Sequence, residues 1–81
     1  MSQNSIHDRL TGVFRSVFND PSVTISRETT AKDIKGWDSI THLDLITATE
    51  EEFKIEISGF EVMNLKNVGD LIDLLAAKTN S

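Results

Sequence analysis

The stretch from Gly36 to Phe53, GWDSITHLDLITATEEEF, constrains the fold more than any other part of the chain. Gly36 permits backbone conformations that residues with a β-carbon avoid. Asp38 is a strong N-cap, because its carboxylate accepts from the free N–H groups of a first helical turn. Ser39 is then the first residue inside a helix, with its hydroxyl at the helix end, beside a loop and open to solvent. From Ile40 onward the apolar positions are 40, 43, 45, 46, 48 and 53. Leu45, Ile46 and Phe53, with Thr49 between them, share one face at helical spacing. Ile40 and Leu43 lie off that face. Such a second strip suits contact with a partner that comes and goes. Burial of both strips in a small bundle is the alternative, and for Leu43 it stays open.

Charge concentrates in the same region. Asp38 to Glu61 holds seven acids and one base, Lys54, for a net −6, whereas the remainder holds six acids and seven bases, for a net +1. Asp38, Asp44, Glu50, Glu51 and Glu52 precede any Lys or Arg in this helix, so it lacks the i to i+4 pairs that normally balance an acidic face. The imbalance favours partners with basic patches. It disfavours nucleic acid, which would repel the chain.

With 81 residues the chain is expected to form one domain with a small core, ordered from about residue 5 to 77 and frayed at both ends. No cysteine is present, hence no disulfide framework and no thiolate metal site. No apolar run approaches the roughly 20 residues of a membrane helix. The opening MSQNSIHDR lacks the basic and apolar regions of a signal peptide. A cytoplasmic, monomeric protein without membrane insertion is expected.

The remaining elements follow from spacing. Ser5 with Asp8 resembles a capping box, and Ile6, Leu10, Val13, Phe14, Val17 and Phe18 recur at three and four. This is a first helix that ends at Asn19-Asp20-Pro21. Gly12 inside it costs about 1 kcal/mol against alanine, which close packing on another helix would explain. His7 reads as a surface residue. Residues 19–37 form a long connection, pinned across the bundle by Val23, Ile25, Ile34 and Trp37. Val23-Thr24-Ile25 alternates like a strand but has no second strand to pair with. Residues 38–53 form the second helix, followed by an extended link that buries Ile57. Ser58 and Glu61 start a short third helix with Phe60, Val62, Met63 and Leu65 apolar. Asn67 and Asp70 start a fourth, with Val68, Leu71, Ile72, Leu74 and Leu75 as its buried stripe. Lys78 to Ser81 read as frayed. The fold class is all-α, a four-helix bundle of three main helices and one short one, with a long loop between the first two.

Catalysis by this chain alone is not expected. A nucleophilic serine needs a base held by a third group. His42, three residues after Ser39, is the one candidate, and it reads better as an edge of the packed face. The acids at 50–52 point in different directions, no EF-hand spacing occurs, and no glycine-rich phosphate loop is present. Ser39 remains as a place of attachment. At a helix N-terminus the backbone N–H groups and the macrodipole favour an anion such as a phosphodiester. Asp38 opposes that by repulsion unless its carboxylate is engaged in capping. Taken locally, Ser39 also reads as an ordinary helix-start serine.

The segment resembles the acyl carrier protein family, whose motif is an Asp-Ser-Leu triplet opening the second helix of a four-helix bundle, with acids and a phenylalanine several turns later. This chain has Asp38-Ser39-Ile40, then Leu43, Leu45, Ile46, Glu50-Glu51-Glu52 and Phe53, with Ile57, Val62, Leu65, Val68, Leu71, Ile72 and Leu75 continuing the match. The resemblance implies that Ser39 carries 4′-phosphopantetheine, transferred from coenzyme A by a magnesium-dependent phosphopantetheinyl transferase. The terminal thiol of that arm would hold acyl groups as thioesters, so the protein itself needs no cysteine. By the family pattern Asp38, Ile40, Leu43, Asp44, Thr47 and Glu51 form the face that docks on basic patches of the transferase and of acyl-loading and acyl-processing enzymes. Ile57 and Val62 flank it. The interior near Phe14, Ile46, Phe53, Leu65 and Leu71 would admit part of an acyl chain.

Four positions depart from the pattern or mark a subset. Ile40 replaces leucine, Thr41 stands where an acid is common, and Thr47 stands where a larger apolar residue is usual. Trp37 occurs in a subset of carriers and reads as a packing anchor for the loop. These weaken the case for the housekeeping carrier of fatty-acid synthesis, and a specialised carrier serving a secondary-metabolite, lipid-modification or polysaccharide-linked acylation pathway fits at least as well. A D-alanyl-type aminoacyl carrier and an unmodified acidic adaptor are the other readings.

Overall fold

In a computed structural model, the backbone is described for residues 3–79 and the side chains for residues 5–79. Among these residues the elements are four helices: α1 (Gln3–Val17), α2 (Ser39–Phe53), α3 (Gly59–Met63) and α4 (Val68–Thr79). The expected architecture is present, and α1 packs on both α2 and α4.

Amphipathic spacing sets the core. Ile6, Leu10, Val13 and Phe14 of α1 meet Leu45, Ile46 and Phe53 of α2 and Val68, Leu71, Ile72 and Leu75 of α4. Thr49 is fully buried on the same face, and its hydroxyl donates to the Leu45 carbonyl at 2.7 Å, so the one polar group placed there is satisfied. Leu74, expected in the stripe, is only half-buried at its edge.

The long loop is tied down by backbone as well as by apolar side chains. Ile25 and Ile34 are buried, and Val23 and Trp37 pack against the core. The Arg27 and Thr29 carbonyls accept from Gly69 and Val68 at 2.8 and 2.9 Å, which satisfies two of the unpaired donors at the start of α4. Asn67 caps the Asp70 N–H at 2.8 Å, and Asp70 returns to the N–H of Lys66 at 3.0 Å. Arg27 then spans the contact with two bonds to Asp73. A glycine is required where the loop crosses the helix: a β-carbon on Gly69 would lie 2.9 Å from the Arg27 carbonyl oxygen.

Several expectations are corrected. Helix α1 begins at Gln3, so residues 3 and 4 are helical and Ser5 lies inside the first turn instead of capping it. Nothing lies within 4 Å of a β-carbon built on Gly12, so close helix packing does not explain that glycine. His7 is half-buried, not a surface residue, with Nε2 2.6 Å from the Ile25 carbonyl, which helps fix the loop. Lys78 and Thr79 are helical, and Lys78 reaches Glu61 of α3 at 3.1 Å. The rest of the two ends expected to fray, residues 1–2 and 80–81, lies outside the described residues.

Helix α2 starts at a complete capping box. Asp38 sits in extended backbone and its Oδ1 accepts from the N–H groups of Ile40 and Thr41, both at 2.9 Å. Thr41 Oγ1 accepts from the Asp38 N–H at 2.7 Å and donates to the Gly36 carbonyl at 2.8 Å. Thr41, a departure from the family pattern, thus closes the box. Gly36 has φ of 92°, a left-handed conformation. At the other end Arg9 of α1 binds Glu52 at 2.9 Å and lies 4.6 Å over the Phe53 ring. This supplies a cation to a helix whose last turn has none of its own. The short α3 buries no residue. Its Ser58–Glu61 capping box and the Lys78 pair hold it.

Two predictions follow from this geometry. Gly69→Ala forces the loop off α4 and should lower unfolding free energy by about 1–3 kcal/mol in urea, while Gly12→Ala, at an open helix position, should raise it by up to about 1 kcal/mol. Equal effects would contradict the close approach. The Asp38 carboxyl is held below the usual carboxylate range, chiefly by the Thr41 N–H; the Ser58 N–H does the same for Glu61 and Arg27 for Asp73. Each contributes stability above the ordinary carboxylate pKa that is lost as pH falls through its lowered value. Asp38→Asn keeps a cap oxygen but cannot titrate, so its acid unfolding profile should be shallower than wild type; identical profiles would refute the contribution.

Candidate functional site

The first turn of α2 brings Trp37, Asp38, Ser39 and His42 together at one end of the bundle. Ser39 is exposed, as its position at the helix start predicts. It stands on the wall of a pocket of about 360 Å³, lined also by Trp37, Asp38, His42, Leu65, Lys66 and Leu71. Of the residues expected around an acyl chain, only Leu65 and Leu71 line this pocket. Phe14, Ile46 and Phe53 are buried in the core.

An anion at Ser39 meets a different set of groups from those the sequence suggests. The N–H groups of Ile40 and Thr41 are already given to Asp38, and that of His42 bonds the Asp38 carbonyl at 2.8 Å. The first turn therefore keeps its dipole but has spent most of its donors. The same bonds occupy the Asp38 carboxylate, which lessens its repulsion of a neighbouring anion.

Trp37 is both a packing anchor and a hydrogen-bond donor. Its ring meets Phe14 edge-on at 5.2 Å and Phe18 at 6.2 Å. Its indole Nε1–H donates to His42 Nδ1 at 3.1 Å. His42 is half-buried, and that burial lowers its pKa. A ring that accepts at Nδ1 is neutral and carries its proton on Nε2. No hydrogen bond joins Ser39 to His42 among the described residues, so a serine–base pair is not assembled.

Sites expected on the docking face divide. Ile40 and Leu43 are 73% and 62% exposed, so they are not core, and Asp44, Thr47 and Glu51 are exposed beside them. Val62 is half-buried. Ile57 is 8% exposed: the extended link turns its side chain into the core, as its alternation predicts, which leaves it little surface for a partner. Sequence reasoning missed the exposure of Phe60 and Met63, at 78% and 85%. A five-residue helix cannot turn every apolar side chain inward, and that brevity was the available signal. It also missed the Trp37–His42 bond, which spans a change of backbone direction that periodicity does not describe.

An exposed hydroxyl beside a partly apolar pocket fits a covalently attached, flexible arm. The comparisons agree. The family described as "Phosphopantetheine attachment site" matches residues 8–75. The acyl carrier protein of Acidothermus cellulolyticus is 32% identical over 81 residues, covering 100% of this chain and 96% of that protein. That of Thermosynechococcus vestitus is 32% identical over 79 residues, with 96% of each covered. The solution structure of the holo acyl carrier protein from Geobacter metallireducens is 48% identical, with a TM-score of 0.84, over 90% of this chain and 84% of that one. No helix among the described residues is long and apolar enough to cross a membrane. With its capped serine helix, this fold and these relatives, the chain belongs to the acyl carrier protein family, a non-catalytic carrier that works through covalent 4′-phosphopantetheine and with the enzymes that load and process acyl groups.

Proposed function

We propose that Ser39 is the residue to which 4′-phosphopantetheine is joined. The observation that carries this reading is the exposed Ser39 hydroxyl at a fully capped helix start, on the wall of the pocket described above. The capping box holds the backbone on both sides of Ser39, so an incoming transferase meets a hydroxyl in a fixed position. Attachment needs Ser39 Oγ to give up its proton and attack the pantetheine-bearing phosphorus of coenzyme A; the ester bond forms as the pyrophosphate P–O bond breaks and adenosine 3′,5′-bisphosphate leaves. No base among the described residues is bonded to Ser39, so the base is supplied by the transferase. When joined, the arm supplies a thiol that carries acyl groups as thioesters.

The docking face is the exposed strip of Ile40 and Leu43 with Asp44, Thr47 and Glu51, with Asp38 at its upper edge and Val62 at its flank. Apolar contact in the centre and acids at the rim suit transient binding to basic enzyme surfaces, where charge sets the encounter rate. The protein acts as a monomer in the cytoplasm. Ile40, Thr41 and Thr47 favour a specialised acylation pathway.

Two experiments test this reading. Intact mass after incubation with coenzyme A, magnesium and a phosphopantetheinyl transferase should rise by one arm in wild type and not at all in Ser39→Ala with an unchanged melting profile. A wild type that resists several transferases would favour an unmodified acidic adaptor, and an arm retained in Ser39→Ala would move the site. Reversing Asp44 and Glu51 to lysine should slow modification about tenfold at low salt and flatten its salt dependence. Unchanged kinetics would exclude that face.

A further inference from the structure

Most of the donors normally offered to an anion at a helix start are taken here. Ile40 and Thr41 N–H are bound by Asp38, and the His42 N–H by the Asp38 carbonyl. A phosphate on Ser39 is left with the N–H of Ser39 itself, with water and with the side chains around it. His42 stands one turn further along α2, on the wall of the same pocket. Its ring is held from behind: Trp37 Nε1–H donates to Nδ1 at 3.1 Å, the two rings lie 18° from parallel, and Trp37 is itself braced edge-on by the fully buried Phe14. With Nδ1 occupied as an acceptor, the ring's single proton is on Nε2, and no hydrogen bond among the described residues uses that donor.

We propose that His42 is a positioning residue for the phosphodiester on Ser39, with Nε2–H as the donor and Trp37 fixing the tautomer that makes this possible. The inference rests on attachment at Ser39. The bond would restrain the first atoms of the arm along the pocket mouth, toward Leu65 and Leu71. The charged side chains on the pocket wall are Asp38, on the same helical turn, and Lys66, on the link between α3 and α4. Asp38 is committed to the cap. Lys66 can share the phosphate but cannot select the histidine tautomer.

The test is a nuclear magnetic resonance titration of the full chain before and after loading. A phosphodiester placed beside the ring favours its charged form, so the His42 midpoint should rise by about half a unit to one unit on loading, while His7 stays constant. A phosphodiester does not itself titrate near neutrality. Its ³¹P resonance should nonetheless follow the His42 midpoint in wild type and be flat in loaded His42→Gln. In loaded Trp37→Phe, ¹⁵N shifts should report a mixture of tautomers and the ³¹P response should weaken. An unmoved His42 midpoint with a flat ³¹P response in wild type would overturn the proposal. Mass separates the two claims: a chain that takes no arm defeats attachment, whereas a loaded chain with a silent His42 defeats only this inference.

Discussion

The contact of Phe14 with Trp37 joins the core to the site. Phe14 is fully buried in the last turn of α1, and Trp37 meets it edge-on at the last residue before the α2 cap. Aromatic pairs in this geometry combine large apolar area with a preferred orientation. The contact therefore does more than bury surface. It sets where the long loop ends and at what angle the chain enters α2, and so where Ser39 stands. Its strength is borrowed from the helices: α1 packs on both α2 and α4, and all three supply the core.

Around that contact the loop behaves as structure. Its backbone carbonyls cap α4, its Ile25 carbonyl bonds His7 of α1, and Arg27 bridges to Asp73. A segment of this length could close over a bundle only at an entropic cost. Here that cost is offset by apolar anchors and by donors that α4 would otherwise leave unpaired. The result is a rigid approach to a first turn whose own hydrogen bonds are nearly all made. Rigidity at that point suits a residue that separate enzymes must find in the same place each time.

Charge and apolar area are arranged for brief contacts. Asp44, Glu51 and Glu52 of α2 are exposed, and Arg9 steadies the far end of the helix through Glu52 without covering the strip of Ile40 and Leu43. Phe60 and Met63 add apolar area on α3, a helix that fully buries no residue and is held by half-buried Val62, a capping box and one ion pair. Elements held so lightly open at lower cost than the core helices.

Local rules reached a long way in this chain. The spacing of Leu45, Ile46, Thr49 and Phe53 named the buried face of α2, and Asp38 and Ser58 named two helix starts, because caps and periodicity depend on residues three or four apart. They failed at Ser5, which helix α1 runs past, and at Gly12, where no neighbour approaches. They succeeded at Ile57, which the extended link buries as its alternation suggested, whereas the family pattern had set that residue beside the docking face. What the sequence alone determined was the helices, the acidic face and the serine at a helix start. The tertiary structure decided which donors around Ser39 were already spent, and that Trp37 holds His42 in one tautomer beside it. Those depend on distances between segments that the order of residues does not encode locally.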